Sequence, residues 1–98
     1  MDEPNTGSPD AEQRLANAHL ARVIRKLLLE RNLSQADAAK LLGIAQPDVS
    51  NLERGRLAAF SMEQLSGFLL SLGMDIRIQI APSSRANAML TVDLVGPR

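Results

Sequence analysis

The chain has 98 residues, which is enough for one domain with or without a tail and too short for two independent cores. It contains no cysteine and one histidine, so its composition excludes disulfide frameworks, thiolate metal sites, cysteine nucleophiles and zinc sites built on paired histidines. Eleven basic residues balance eleven acidic ones, and the net charge therefore gives no indication of a nucleic-acid partner. The chain has 16 Leu and 13 Ala but only two Phe, with no Trp or Tyr. This composition favours small helices packed on leucine.

The charges are unevenly distributed along the chain. Residues 1–13 carry four acidic and no basic side chains, residues 14–56 carry a net charge of +4, and residues 57–98 are neutral. A basic middle of this kind suggests an anionic partner. The first ten residues, MDEPNTGSPD, resemble neither a secretory signal nor a transit peptide, and they predict a flexible acidic arm over residues 1–10. No apolar run approaches the roughly 18 residues of a membrane span, so a cytoplasmic protein without membrane contact is expected.

Helical periodicity begins at the end of this arm. Apolar residues recur at helical spacing from Leu20 to Leu28 and predict a long first helix over about residues 11–31, with Asp10 as its N-cap and Asn32 as its exit residue. This helix would open the main domain, residues 11–73.

Three shorter helices are predicted to follow. Ser34 is a suitable N-cap for a second helix that ends at Gly43, and a third helix begins near Gln46, tolerates a proline in its first turn and ends at Gly55. Ser61 and the glutamine three residues later form a predicted capping box for a fourth helix, which runs from residue 62 to residue 72 and ends at a glycine.

The period changes from helical to two after residue 73. Ile76, Ile78 and Ile80 alternate with polar side chains and predict a half-buried strand, and a second, weaker alternation covers Leu90, Val92 and Leu94. An isolated hairpin is marginal in water, so this β extension over residues 74–98 is expected to pack on the helices or to pair with a second copy.

The second and third helices are separated by three residues only, Gly43, Ile44 and Ala45, which is the spacing of a helix-turn-helix. Ala38, Ala39, Leu42, Val49 and Leu52 would face inward across it. The whole run SQADAAKLLGIAQPDVSNLERG resembles the Cro/C1-type helix-turn-helix of phage repressors and XRE family regulators. The resemblance covers about residues 20–72 and implies a mainly α, four- to five-helix, lambda-repressor-like DNA-binding domain. The following run, SLGMDIRIQI, resembles the extension of HigA-type antitoxins.

The resemblance implies that the third helix lies in the major groove of DNA. Amide side chains on this helix suit adenine, which needs a donor and an acceptor together. Gln35 matches a phosphate-contacting position at the start of the second helix, and Arg54 and Arg56 are placed to hold backbone phosphates. The predicted DNA-binding residues are Gln35, Gln46, Pro47, Asp48, Ser50, Asn51, Arg54 and Arg56.

Two positions depart from the family pattern. Ala45 replaces the usual Ser or Thr cap, and Pro47 replaces a base-reading polar side chain, so that only an apolar contact such as one to a thymine methyl remains. The operator preference therefore cannot be copied from relatives. Without the motif, a polar face on a short helix would usually be solvated surface.

By resemblance, the expected function is sequence-specific repression, as a homodimer on a double-stranded operator, by the antitoxin of a toxin–antitoxin operon that also neutralises a RelE/HigB-like ribonuclease. A repressor without a toxin and a protein-only interaction module are the alternatives. An enzyme is not expected, because the sequence offers no acid/base pair, activated nucleophile or metal cluster. No cofactor is expected either.

Overall fold

The chain folds into a small helical domain, described by a computed structural model over residues 9–86 and 88–93. Four helices follow one another within these residues: α1 (Pro9–Glu30), α2 (Gln35–Leu42), α3 (Gln46–Glu53) and α4 (Met62–Ser71). Their order and bounds agree with the sequence predictions to within two residues. The described part of the chain contains no helix that is long and apolar enough to cross a bilayer.

The helix ends follow from local side-chain and backbone chemistry. Ser34 accepts a hydrogen bond from the backbone N–H of Asp37 and caps α2, and Ser61 forms the predicted reciprocal capping box with Gln64 on α4. Asn32 has a φ of 55° in the left-handed region and ends α1 as predicted. Asp10, however, lies inside the first turn of α1 rather than at its cap, because the helix already begins at Pro9.

The apolar core of the described residues lies between the helices, with α1 packed on α4 and α2 packed on α3. The side chains that are most completely enclosed come from three different helices: Ile24, Val49, Leu52 and Leu65. The inward-facing alanines and leucines predicted for α2 and α3 are all buried. Each Å² of apolar surface buried at this junction contributes roughly 25 cal/mol to stability. This packing stabilises the short helices, which would not be stable alone.

Two side-chain contacts fix the two ends of α4, in addition to its packing on α1. Phe60, just before α4, and Phe68 within it make an edge-to-face pair with ring centroids 5.8 Å apart. At the other end, Nη2 of Arg31 donates a 2.7 Å hydrogen bond to the carbonyl oxygen of Leu72, which is one of the acceptors that the last turn of a helix leaves free.

The predicted β extension is not formed in the described residues, since 74–86 and 88–93 contain no strand. Ile78 and Ile80 are 82% and 91% exposed, so the first alternating run has no neighbouring strand to cover it. The second run packs on the helices instead. The backbone N–H of Leu90 donates to the Glu12 carboxylate of α1 at 2.9 Å, and Val92 packs against the core. Leu94 lies outside the described residues. A lone hairpin is too weak to compete with these helix contacts.

Candidate nucleic-acid interface

The α2–turn–α3 unit is built by a tight exit from α2. Gly43 adopts a φ of 73°, and both its own N–H and that of Ile44 donate to the carbonyl oxygen of Ala39, at 2.8 and 3.0 Å. A Cβ added at Gly43 would meet no atom within 4 Å, so the backbone conformation, rather than space, favours glycine here. The turn directs Ile44 against the core, and only three residues separate the end of α2 from the start of α3.

The start of α3 has no side-chain cap. Ala45 occupies the N-cap position, and its carbonyl oxygen accepts hydrogen bonds from the N–H groups of Asp48 and Val49 at 3.0 and 3.2 Å. Pro47 is tolerated in the first turn because its missing N–H would have had no partner in the helix. The departure from the family pattern at Ala45 therefore leaves the helix intact.

The outer face of α3 carries the residues predicted to meet bases. With Val49 and Leu52 buried, the helical period places Pro47 opposite the core and Ser50 and Asn51 on either side of it. Gln46 and Pro47 are exposed, whereas Asp48, Ser50 and Asn51 are half-buried. The structure thus collects these side chains on one short helix, and the centre of the outward face is apolar.

The two arginines predicted to contact phosphates lie just after the C-terminal end of α3. Arg54 and Arg56 are both exposed and follow α3 directly. Their backbones are fixed, because the N–H of Arg54 donates to Ser50 and the N–H of Arg56 donates to Asn51, at 3.0 and 2.8 Å. A φ of 77° at Gly55 permits this turn.

Gln35 also contacts the C-terminal end of α3. It lies in the first turn of α2, and its Nε2 donates a 2.8 Å hydrogen bond to Oε1 of Glu53, the last residue of α3. In addition, Nη1 of Arg25 on α1 donates to the carbonyl oxygen of Leu52 at 3.3 Å. Neither contact was predicted from the sequence, since hydrogen bonds between residues 18 and 27 positions apart leave no local signal.

Comparison with known proteins identifies the unit. A family model described as a helix-turn-helix domain matches residues 5–81. The chain belongs to this helix-turn-helix domain family. A solved structure of a protein assigned to the XRE family of transcriptional regulators is 38% identical, with a TM-score of 0.78 over 91% of this chain and 100% of that one. No curated protein sequence matches.

The comparisons confirm the predicted helix-turn-helix and agree with the XRE resemblance, but they do not confirm the HigA-type subgroup. The family match continues past the last helix of this helix-turn-helix domain to residue 81 and so includes the first alternating run. Residues 74–81 therefore belong to the segment that the family model matches.

Proposed function

We propose that this helix-turn-helix protein is a sequence-specific DNA-binding transcriptional regulator that acts as a repressor. The observation that carries the proposal is the α2–turn–α3 unit, in which polar side chains surround Pro47 on the outward face of α3, beside two exposed arginines. A helix of this size fits the major groove, which is about 12 Å wide. The similarity to an XRE family transcriptional regulator along nearly the whole chain supports the same function.

In this proposal α3 reads the bases. Asn51 and Gln46 carry amides, which can both donate to and accept from adenine, while Ser50 can bond to several base edges. Pro47 at the centre of the face offers only apolar contact and would favour a thymine methyl. Asp48, half-buried at the edge of this face, can accept a hydrogen bond from a cytosine amino group.

The flanking residues hold the DNA backbone. Arg54 and Arg56 supply charge to phosphates, and Gln35 supplies a neutral hydrogen-bond donor at the start of α2. Such contacts fix the register of α3 in the groove but do not distinguish sequences.

We further propose that the functional unit is a homodimer that uses residues 74–81. One module of this size makes few base contacts, and two half-sites about 34 Å apart supply the affinity that one lacks. The exposed alternation of Ile76, Ile78 and Ile80 supports pairing with a second copy, because it leaves an apolar row without a cover. The toxin-neutralising role stays a prediction, since neither the matching family nor the solved relative bears on it.

The base-reading role is tested with DNA selected by the protein from a random pool. Asn51→Ala and Gln46→Ala are each expected to weaken binding to the selected site by about 1–3 kcal/mol and to leave binding to random DNA nearly unchanged, because only base contacts are lost. Fluorescence anisotropy on both DNAs measures this. Ser71→Ala, at the end of α4, serves as the control. Equal losses on both DNAs would contradict base reading, and a wild-type protein indifferent to DNA at low salt would favour a protein-only module.

The phosphate role has a separate signature. Arg54→Ala or Arg56→Ala is expected to weaken binding to any DNA and to reduce the magnitude of the slope of log K against log salt by about 1, because one fewer counterion is released. Arg14→Ala removes the same charge near the start of α1. By the helical rise, Arg14 lies about 16 Å before Arg25, the residue of α1 that contacts α3, so this variant should leave the slope unchanged. A slope that is equal in all three variants would place these arginines away from the phosphates.

A further inference from the structure

The last turn of α3 is held by side chains from two other helices. Gln35 of α2 donates to the carboxylate of Glu53 at 2.8 Å, and Arg25 of α1 donates to the carbonyl oxygen of Leu52 at 3.3 Å. The first turn of α3 has no side-chain cap on Ala45. The long-range polar contacts of α3 found in the described residues therefore lie at its C-terminal end.

The contact with Glu53 determines what Gln35 presents to solvent. A glutamine amide has one acceptor oxygen and two donor hydrogens, and a freely rotating side chain offers either end. A carboxylate accepts hydrogen bonds only, so it selects the Nε2 end of Gln35 and binds one of its two hydrogens. The other hydrogen stays available for an acceptor. A charged acceptor also makes this bond stronger than one between neutral groups.

We propose that Glu53 is a positioning residue for DNA binding, which holds the amide of Gln35 so that its free N–H donates to a phosphate oxygen. The inference rests on the proposed function and adds to it a residue that does not itself touch DNA. It also explains how a carboxylate is tolerated beside Arg54 on a surface that meets phosphates. Its negative charge opposes binding, but its oxygen fixes the donor.

Two substitutions separate these opposing effects. Glu53→Gln keeps a side-chain oxygen that can accept from Gln35 and removes the charge, so it should bind DNA as tightly as the wild type or more tightly. Glu53→Ala removes the acceptor as well, and the released Gln35 side chain must then be ordered on binding, which should weaken affinity about 3- to 10-fold relative to Glu53→Gln. Glu53 is exposed, so the truncation leaves no cavity in the core. Glu30→Gln and Glu30→Ala repeat both changes at an exposed carboxylate at the end of α1.

The coupling to Gln35 is the decisive measurement. If Glu53 acts through Gln35, Gln35→Ala and Glu53→Ala should each weaken binding, and the double variant should be no weaker than Gln35→Ala alone. Because Gln35 is neutral, Gln35→Ala should keep the wild-type salt slope, unlike Arg54→Ala. In the DNA-free protein, ¹⁵N relaxation of the Gln35 side-chain amide should show an ordered group in the wild type and in Glu53→Gln, and a mobile one in Glu53→Ala.

The outcomes separate the inference from the function on which it rests. Independent, additive losses in the double variant, or equal affinities of Glu53→Ala and Glu53→Gln, which both lack the charge, would overturn the positioning role while DNA binding stands. A Gln35 amide that is equally mobile in all three proteins would overturn it without any DNA measurement. Wild-type protein that binds neither selected nor random DNA at low salt would overturn the proposed function and the positioning role together.

Discussion

Leu52→Ala is expected to lower the free energy of unfolding by about 2–5 kcal/mol, the largest loss from any single truncation in α3. Leu52 is fully buried where α3 meets α1 and α2, and its removal leaves a cavity that the surrounding helices cannot easily close. Domains of this size are stable by only about 5–15 kcal/mol, so the variant should unfold at a clearly lower temperature and urea concentration than the wild type. Urea denaturation followed by circular dichroism measures the change.

A matched truncation gives the comparison. Leu29→Ala removes the same atoms from α1, but Leu29 is 80% exposed, so its cost should stay below about 0.5 kcal/mol. DNA binding should fall with Leu52→Ala in proportion to the unfolded fraction and recover at temperatures where the variant is folded. Equal costs for the two truncations would mean that α3 is not anchored in the core as described.

The fold was largely predictable because its helix ends depend on neighbouring residues. Ser34 and Ser61 cap their helices through N–H groups only three residues away, and Gly43 ends α2 through its own φ. Such signals lie inside a short window of sequence. The three-residue turn between α2 and α3 follows directly, which is why the helix-turn-helix could be predicted before any tertiary contact was known.

The details of the candidate site were less predictable. Residue types on α3 could be assigned to the outward face from the helical period, but the half-burial of Ser50 and Asn51 depends on neighbouring elements. The bond between Gln35 and Glu53 joins residues 18 apart, and in the sequence each could equally well be a solvated surface residue. Only the packing angle of α2 on α3 brings the two together.

The C-terminal segment shows where a sequence pattern depends on assembly. Alternation of polar and apolar residues indicates a strand only when an adjacent strand accepts its backbone hydrogen bonds. Within the described chain no such neighbour exists for residues 74–80, while Leu90 and Val92 find partners on the helices. The pattern is therefore compatible with a strand that forms between two copies, which is the proposal with the most direct test.

Ile78→Lys is expected to convert the proposed dimer into folded monomers and to weaken binding to a two-fold symmetric site by about 100-fold or more. Ile78 is 82% exposed and lies outside the core of one chain, so the change should not destabilise the fold. Between two copies, however, it would bury an unpaired ammonium group. In a dimer, binding of one protomer to its half-site brings the other protomer close to the second half-site. Linked modules commonly bind with an affinity about 10²- to 10⁴-fold higher than separate ones, and monomers lose this gain.

Sedimentation velocity gives the mass, and anisotropy on DNA carrying two half-sites or one half-site gives the affinity. Ser84→Lys adds the same charge on an exposed position of the same segment and should remain dimeric. The loss in Ile78→Lys should appear on the two-half-site DNA and vanish on the single half-site, because the α3 face of each monomer is unchanged. A dimer that persists in Ile78→Lys would move the interface to another exposed apolar position, and Leu70 on α4, at 59% exposed, would be the next to test.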